Sequence, residues 1–159
     1  MTIEEAIKQK RFINEYQRAH LNVLYTAAAF TYETTQALKP FEITWQQFNV
    51  LRILRGQNPE PCTVKLLTER MLDKMSNASR LVDKLVKKKL VSRQASKEDR
   101  RRVDVFITEE GLALVDEAST VIDQMLDAHS SGITETEANE LNRLLDCMRE
   151  SFTQSEDKS

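Results

Sequence analysis

Eleven lysines and arginines lie between Lys74 and Arg102, against three acids, Asp83, Glu98 and Asp99. The 159-residue chain carries a net charge of −2, so this stretch, at +8, leaves the remainder at −10. A basic segment on an acidic body gives a field with a direction and turns one face toward an anion. Ser76, Asn77, Ser79 and Arg80 are of types that hydrogen-bond base edges or phosphates, and Arg80 can pair bidentately with guanine for about 1–3 kcal/mol of discrimination. Lys84, Lys87 and Lys88 follow further along and suit phosphates, which position a protein without specifying sequence. A second group, Lys97, Asp99, Arg100, Arg101 and Arg102, joins four cations to one acid. There Arg101 has the reach to enter a narrow minor groove, where the potential is most negative. Asp99 cannot favour DNA by charge, and its use is to hold an arginine fork in place. A solvated lysine-rich helix is the ordinary alternative. The elements that carry these residues decide between the two.

The periodicity predicts one long helix from about Ile3 to Leu38, with Tyr16, His20, Val23, Ala27, Phe30, Thr34 and Leu38 on a stripe widened by Leu21, Leu24 and Ala28. Such a helix would be roughly 50 Å long, more than a small domain covers alone, so a partner chain is the simplest cover. Lys39-Pro40 ends it. Thr44 and Gln47 form a capping box for a helix through Gly56 that buries Phe48, Leu51 and Leu54. After a proline-rich loop, Thr63 caps a short helix to about Met71, and Asp73-Lys74-Met75 makes a turn. Ser76 is read as the N-cap of the next helix, which runs to about Lys89 with Ala78, Leu81, Val82 and Leu85 inward. The period then changes to two. Leu90–Ala95 and Val103–Ile107 read as strands joined by the charged tip that holds Arg101. Thr108 caps a helix to about His129, Gly132 breaks it, and Thr134 with Glu137 caps a last amphipathic helix.

A short helix, a tight turn, a polar-faced helix and a hairpin with a basic tip make up a winged helix-turn-helix. The expected fold class is mainly α with a small β-hairpin wing. The expected organisation is a DNA-binding region over 39–111 and a helical dimerisation region formed by 1–38 with 112–159, in one compact domain.

Other functions find less support. No apolar run reaches the roughly 18–20 residues of a membrane span, and the charged N-terminus lacks the apolar core of a secretion signal; a cytoplasmic protein without membrane contact is expected. Two cysteines, Cys62 and Cys147, make no disulfide framework. His20 and His129 have no ligand cluster near them, so no metal site and no cofactor are expected. No nucleophile–base pair or phosphate loop is present, which argues against an enzyme. The competing reading is a helical protein-interaction module whose basic helix meets an acidic partner. The Asp99-Arg100-Arg101 tip counts against it.

The stretch from Thr44 to Gly111 resembles the MarR (multiple antibiotic resistance regulator) family of bacterial transcription factors. The matching residues are Thr44-Trp45-Gln46-Gln47-Phe48-Asn49-Val50-Leu51, Ser76 through Leu85, Leu90-Val91-Ser92-Arg93, Asp99-Arg100-Arg101 and Ile107-Thr108-Glu109-Glu110-Gly111. The resemblance implies a homodimer knit by its first and last two helices. It also implies that this dimer binds double-stranded DNA at a pseudo-palindromic operator with half-sites about one turn apart. It further implies a regulator, most often a repressor, that releases DNA on binding a small phenolic or other aromatic effector or on oxidation of a cysteine. The implied effector pocket lies where the dimer helices meet the winged helix, with Tyr16, His20, Trp45 and Phe48 as candidate lining, each equally well read as core. One departure stands out: the position before Leu90, commonly glycine in the family, is Lys89, so a left-handed C-cap there would be strained.

Overall fold

The computed structural model describes residues 1–96, 103–130 and 132–156, with the side chains of 129, 130 and 151–156 left aside. In chain order the elements are α1 (Ile3–Ala6), α2 (Glu15–Leu38), a 3-10 turn (Lys39–Phe41), α3 (Trp45–Gln57), β1 (Cys62–Thr63), α4 (Val64–Arg70), α5 (Ala78–Lys87), β2 (Val91–Ala95), β3 (Val103–Ile107), α6 (Glu109–Ser130) and α7 (Glu135–Glu156). The chain forms two compact units, Met1–Thr120 and Val121–Ser159, whose boundary falls within α6.

The first expected helix is two. Thr2 and Glu5 cap α1 reciprocally, and Lys8 takes a left-handed φ of 54° just after it. The Asn14 side chain then accepts from the Gln17 amide, while Gln17 Oε1 accepts from the Ile13 amide. These local bonds compete with helix continuation through residues 7–14 and start α2 afresh. At 24 residues α2 is about 36 Å long.

Within the first unit, α3, α4, α5 and a three-stranded antiparallel sheet of order β1-β3-β2 enclose the core. Phe48, Leu51 and Leu54 of α3, Leu67 of α4, Val82 and Leu85 of α5, and Val105 of β3 are all buried, with Leu38, Met71, Val91 and Val115 beside them. Each such side chain contributes about 1.5–3 kcal/mol relative to exposure. Thr44 and Gln47 form the reciprocal capping box, at 3.2 Å and 3.0 Å. Thr63 caps α4 through the Leu66 amide.

Thr63 also belongs to a strand that periodicity did not predict. Cys62 pairs with Val105 and Thr63 with Asp104, so β3 is the central strand. A two-residue strand has no period to read, and only its partner defines it. On the other side, Val91 pairs with Ile107 and Ala95 with Val103, the register of the predicted hairpin.

In the second unit, Thr134 and Glu137 make the second predicted capping box: Glu137 Oε2 accepts from the Thr134 amide at 2.7 Å, and Thr134 Oγ1 accepts from the Glu137 amide at 3.3 Å. Leu141 and Leu144 of α7 are exposed.

Candidate nucleic-acid interface

The basic face of α5 is held from three sides. At its N-terminal end, Asp73 accepts from the Met75 amide at 3.0 Å and from the Ser76 hydroxyl at 2.8 Å. Gln46 of α3 donates to the same carboxylate at 3.4 Å. Asn49, also on α3, accepts from the Leu72 amide at 3.0 Å. The Ser76, Met75 and Gln46 bonds hold the Asp73 carboxyl below the ordinary carboxylate range. Because its hydroxyl is engaged with Asp73, Ser76 is not the N-cap expected from its type. Asn77 takes that place, with its side chain accepting from the Arg80 amide at 3.0 Å.

At the C-terminal end, the Lys89 amide donates to the Val86 carbonyl and the Leu90 amide to the Leu85 carbonyl, at 2.9 Å and 3.0 Å. This is the double closure of a Schellman motif, and Lys89 does carry the left-handed φ it demands, 61°. The corner is stitched to the start of α6. Thr108 donates its amide to the Leu90 carbonyl at 3.1 Å and its hydroxyl to the Lys89 carbonyl at 2.8 Å, and its Oγ1 accepts from the Gly111 amide at 3.0 Å. Gly111 sits directly beneath: a Cβ there would stand 2.1 Å from the Leu90 carbonyl oxygen and 2.9 Å from Ile107 Cγ1. That close approach explains why Thr-x-x-Gly follows the hairpin.

Midway along α5, Arg93 of β2 reaches the helix. Its Nη1 donates to the Asp83 carboxylate, and its Nη2 donates to the Ser79 carbonyl at 3.2 Å and hydroxyl at 3.4 Å.

Asn77, Ser79, Arg80, Lys84, Lys87 and Lys88 are exposed, and Ser76 is half-buried. The face therefore exists as one surface on one helix, with two of its exposed members bonded to other elements of the protein. Ser79 meets Arg93, and the Lys88 ammonium donates to the Glu42 carbonyl just before α3. Asn77, Arg80, Lys84 and Lys87 are the remainder. Two exposed apolar residues, Leu72 and Met75, lie in the turn that enters the helix; Met75 is 95% exposed. Sequence reading assigned them no role, since an exposed methionine in a turn has no pattern to betray it. The predicted tip residues Lys97, Asp99, Arg100, Arg101 and Arg102 lie outside the described residues.

The four candidate pocket residues do not share one environment. Phe48 is buried in the core, 3% exposed, with the Arg52 guanidinium 5.9 Å from its ring centroid. Trp45 is half-buried, while His20 is exposed and Tyr16 is 87% exposed. Cys62 is fully buried, and desolvation raises its thiol pKa against a weaker opposing effect of Arg70; a reactive thiol needs the opposite shift. Cys147 is exposed in the single chain. Among the described residues no three His, Cys, Asp or Glu side chains gather to hold a metal. No helix there is long and apolar enough to cross a membrane.

With this geometry in place, comparison with known proteins places the chain. The family model described as MarR family matches residues 43–103. The HTH-type transcriptional regulator MgrA of Staphylococcus aureus is 30% identical over 127 residues, covering 80% of this chain and 84% of MgrA. The S. aureus MepR–DNA complex superposes with a TM-score of 0.74 at 24% identity, over 89% of this chain and 99% of MepR. CouR of Rhodococcus jostii RHA1, solved with p-coumaroyl-CoA, gives a TM-score of 0.70 at 22% identity, over 86% and 95% of the two chains.

Proposed function

Because the chain belongs to the MarR family of winged-helix transcription regulators, we propose that it binds a pseudo-palindromic duplex operator as a homodimer, α5 in the major groove and the hairpin tip in the adjacent minor groove. The observation that carries this reading is the exposed row Asn77, Arg80, Lys84 and Lys87 on a helix held at both ends and at its middle. A rigid helix with its N-terminal polar residues outward is what base-edge recognition needs. Asn77 and Arg80 are assigned to bases, and Lys84 and Lys87 to phosphates. Lys88 and Ser79 serve chiefly to hold the helix, with Ser76 at its entry. Lys97, Arg100, Arg101 and Arg102 are assigned to the wing, with Asp99 orienting Arg101.

Homodimerisation is supported by large apolar residues that are exposed on the single chain. On α2 these include Tyr16, Leu24, Phe30 and Tyr32, and on α7 Leu141 and Leu144. Exposed apolar surface of this extent marks an association face. The terminal segments 1–38 and 112–159 are therefore assigned to dimerisation and 39–111 to DNA.

Ligand-responsive repression is the regulatory mode we assign, with an aromatic effector of the kind that CouR holds. Trp45, half-buried at the start of α3, with Tyr16 and His20 of α2, is the assigned lining, and Phe48 supports it from the core. The protein is assigned to the cytoplasm, and no catalytic role is assigned to it.

A gel-shift titration against the DNA upstream of its own gene, repeated with phenolic acids and with peroxide, tests the reading. The expected outcome is a saturable shift that a phenolic acid reverses and peroxide leaves intact. Equal affinity for operator and scrambled duplex would instead support the acidic-partner reading.

A further inference from the structure

Among the described residues of the chain's most basic stretch, one arginine turns toward the protein. Arg93 stands at the middle of β2, opposite Val105, and its guanidinium spans one turn of α5. One nitrogen meets the Asp83 carboxylate and the other meets the Ser79 carbonyl and hydroxyl. Its side chain is 30% exposed, against 53% for Asp83. A planar fork that engages two groups four residues apart fixes an angle as well as a distance, which a point charge does not. The bond also neutralises Asp83, the one acid on the recognition helix.

We propose that Arg93 is a positioning residue for sequence reading: it locks the hairpin to α5 so that wing and recognition helix meet the duplex at a fixed mutual angle, and it touches no DNA itself. The inference rests on α5 and the hairpin being the DNA-facing elements, and it gives Arg93 a role that neither its place in the matching segment nor the charge count assigned. Its consequence runs against simple electrostatics. Removing the Asp83 charge should strengthen attraction to phosphates if charge alone mattered. If the brace matters, Asp83→Asn weakens specific binding, because the fork loses its ionised acceptor.

The test uses the full-length protein and the duplex that the wild type selects from a random pool. Dissociation constants for that duplex and a scrambled one are measured for Arg93→Lys, Arg93→Gln, Asp83→Asn and the Arg93→Gln/Asp83→Asn double variant across a salt series, with thermal melting as the fold check. The ratio of selected to scrambled affinity is expected to fall by about tenfold in each single variant, as when one good base contact is misplaced. The double variant is expected to fall no further. The slope of log affinity against log salt stays at its wild-type value, since no phosphate contact is lost. Tighter operator binding by Asp83→Asn, wild-type discrimination by Arg93→Lys, or a salt slope lowered by about one in Arg93→Gln would each overturn the proposal while leaving the DNA-binding reading intact. A wild-type protein that selects no duplex overturns that reading, and this inference with it.

Discussion

Gly111→Ala asks one methyl group to occupy space held by a backbone carbonyl. The added Cβ would lie 2.1 Å from the Leu90 oxygen and 2.9 Å from Ile107 Cγ1, where non-bonded carbon atoms prefer roughly 3.5–4 Å. More than about 1 Å of displacement is needed, and the obstacle is no flexible side chain. The Leu90 carbonyl accepts from the Thr108 amide, and the neighbouring Lys89 carbonyl accepts from the Thr108 hydroxyl. Two hydrogen bonds at about 0.5–1.5 kcal/mol each are then put at risk, and forcing a methyl into packed surroundings costs about 1–3 kcal/mol. Alanine's better helix propensity returns about 1 kcal/mol, leaving a net loss of about 3 kcal/mol. Gly56 supplies the control within the same chain: it sits in α3 with nothing within 4 Å of its would-be Cβ. Gly56→Ala is therefore expected to stabilise by about 0.5–1 kcal/mol. Urea unfolding of the two variants, at one fixed protein concentration, should move the midpoint in opposite directions. A Gly111→Ala protein within about 0.5 kcal/mol of wild type would refute the account of how the helix corner is seated.

Lys89→Gly is expected to raise stability by about 1 kcal/mol, because glycine takes the left-handed conformation without the penalty a lysine bears there; a lowered urea midpoint would contradict the strain. Arg101→Ala is expected to weaken operator binding strongly while the melting temperature holds, since the negative potential of a narrow minor groove favours an arginine there; unchanged affinity in a fluorescence-anisotropy titration would remove Arg101 from the mechanism. Hydrogen bonds lower the pKa values of Glu4, Asp73, Glu137 and Glu140 in the folded chain. For a depressed acid the contribution is present above the unfolded value and lost as pH falls through the folded one. Thermal stability should thus be flat from neutral pH to about pH 5 and fall below about pH 4. A decline beginning above pH 6 would implicate other groups.

Much of the architecture was legible because it is decided within a few residues. The boxes Thr44–Gln47 and Thr134–Glu137 and the cap at Thr63 each place a side-chain oxygen three residues before its backbone donor, so spacing alone states them. The basic face of α5 was equally plain, since exposed and buried positions follow the helical period. Lys89 could be suspected of a left-handed φ, which it has, because a corner that must close a helix demands it whatever residue stands there. The eight-residue interruption before α2 was readable in principle. Asn14 and Gln17 have the types and spacing of a helix start, and the apolar stripe alone does not show it.

What sequence could not state are the partnerships between residues far apart in the chain. Ser76 and Asn77 are both good N-caps by type; only the Asp73 carboxylate, itself met by Gln46 from another helix, draws the serine away and leaves the asparagine to cap. The pairing of Cys62 with Val105 makes a strand of two residues that have no strand pattern. Arg93 is one cation among eleven in its stretch until the hairpin register turns it onto Ser79 and Asp83. Caps and periods are set by bonds that the local chain closes on itself, so a run of letters determines them. Which charge faces water and which faces a neighbour depends on contacts that exist only after distant segments have met, and the folded structure alone decides it.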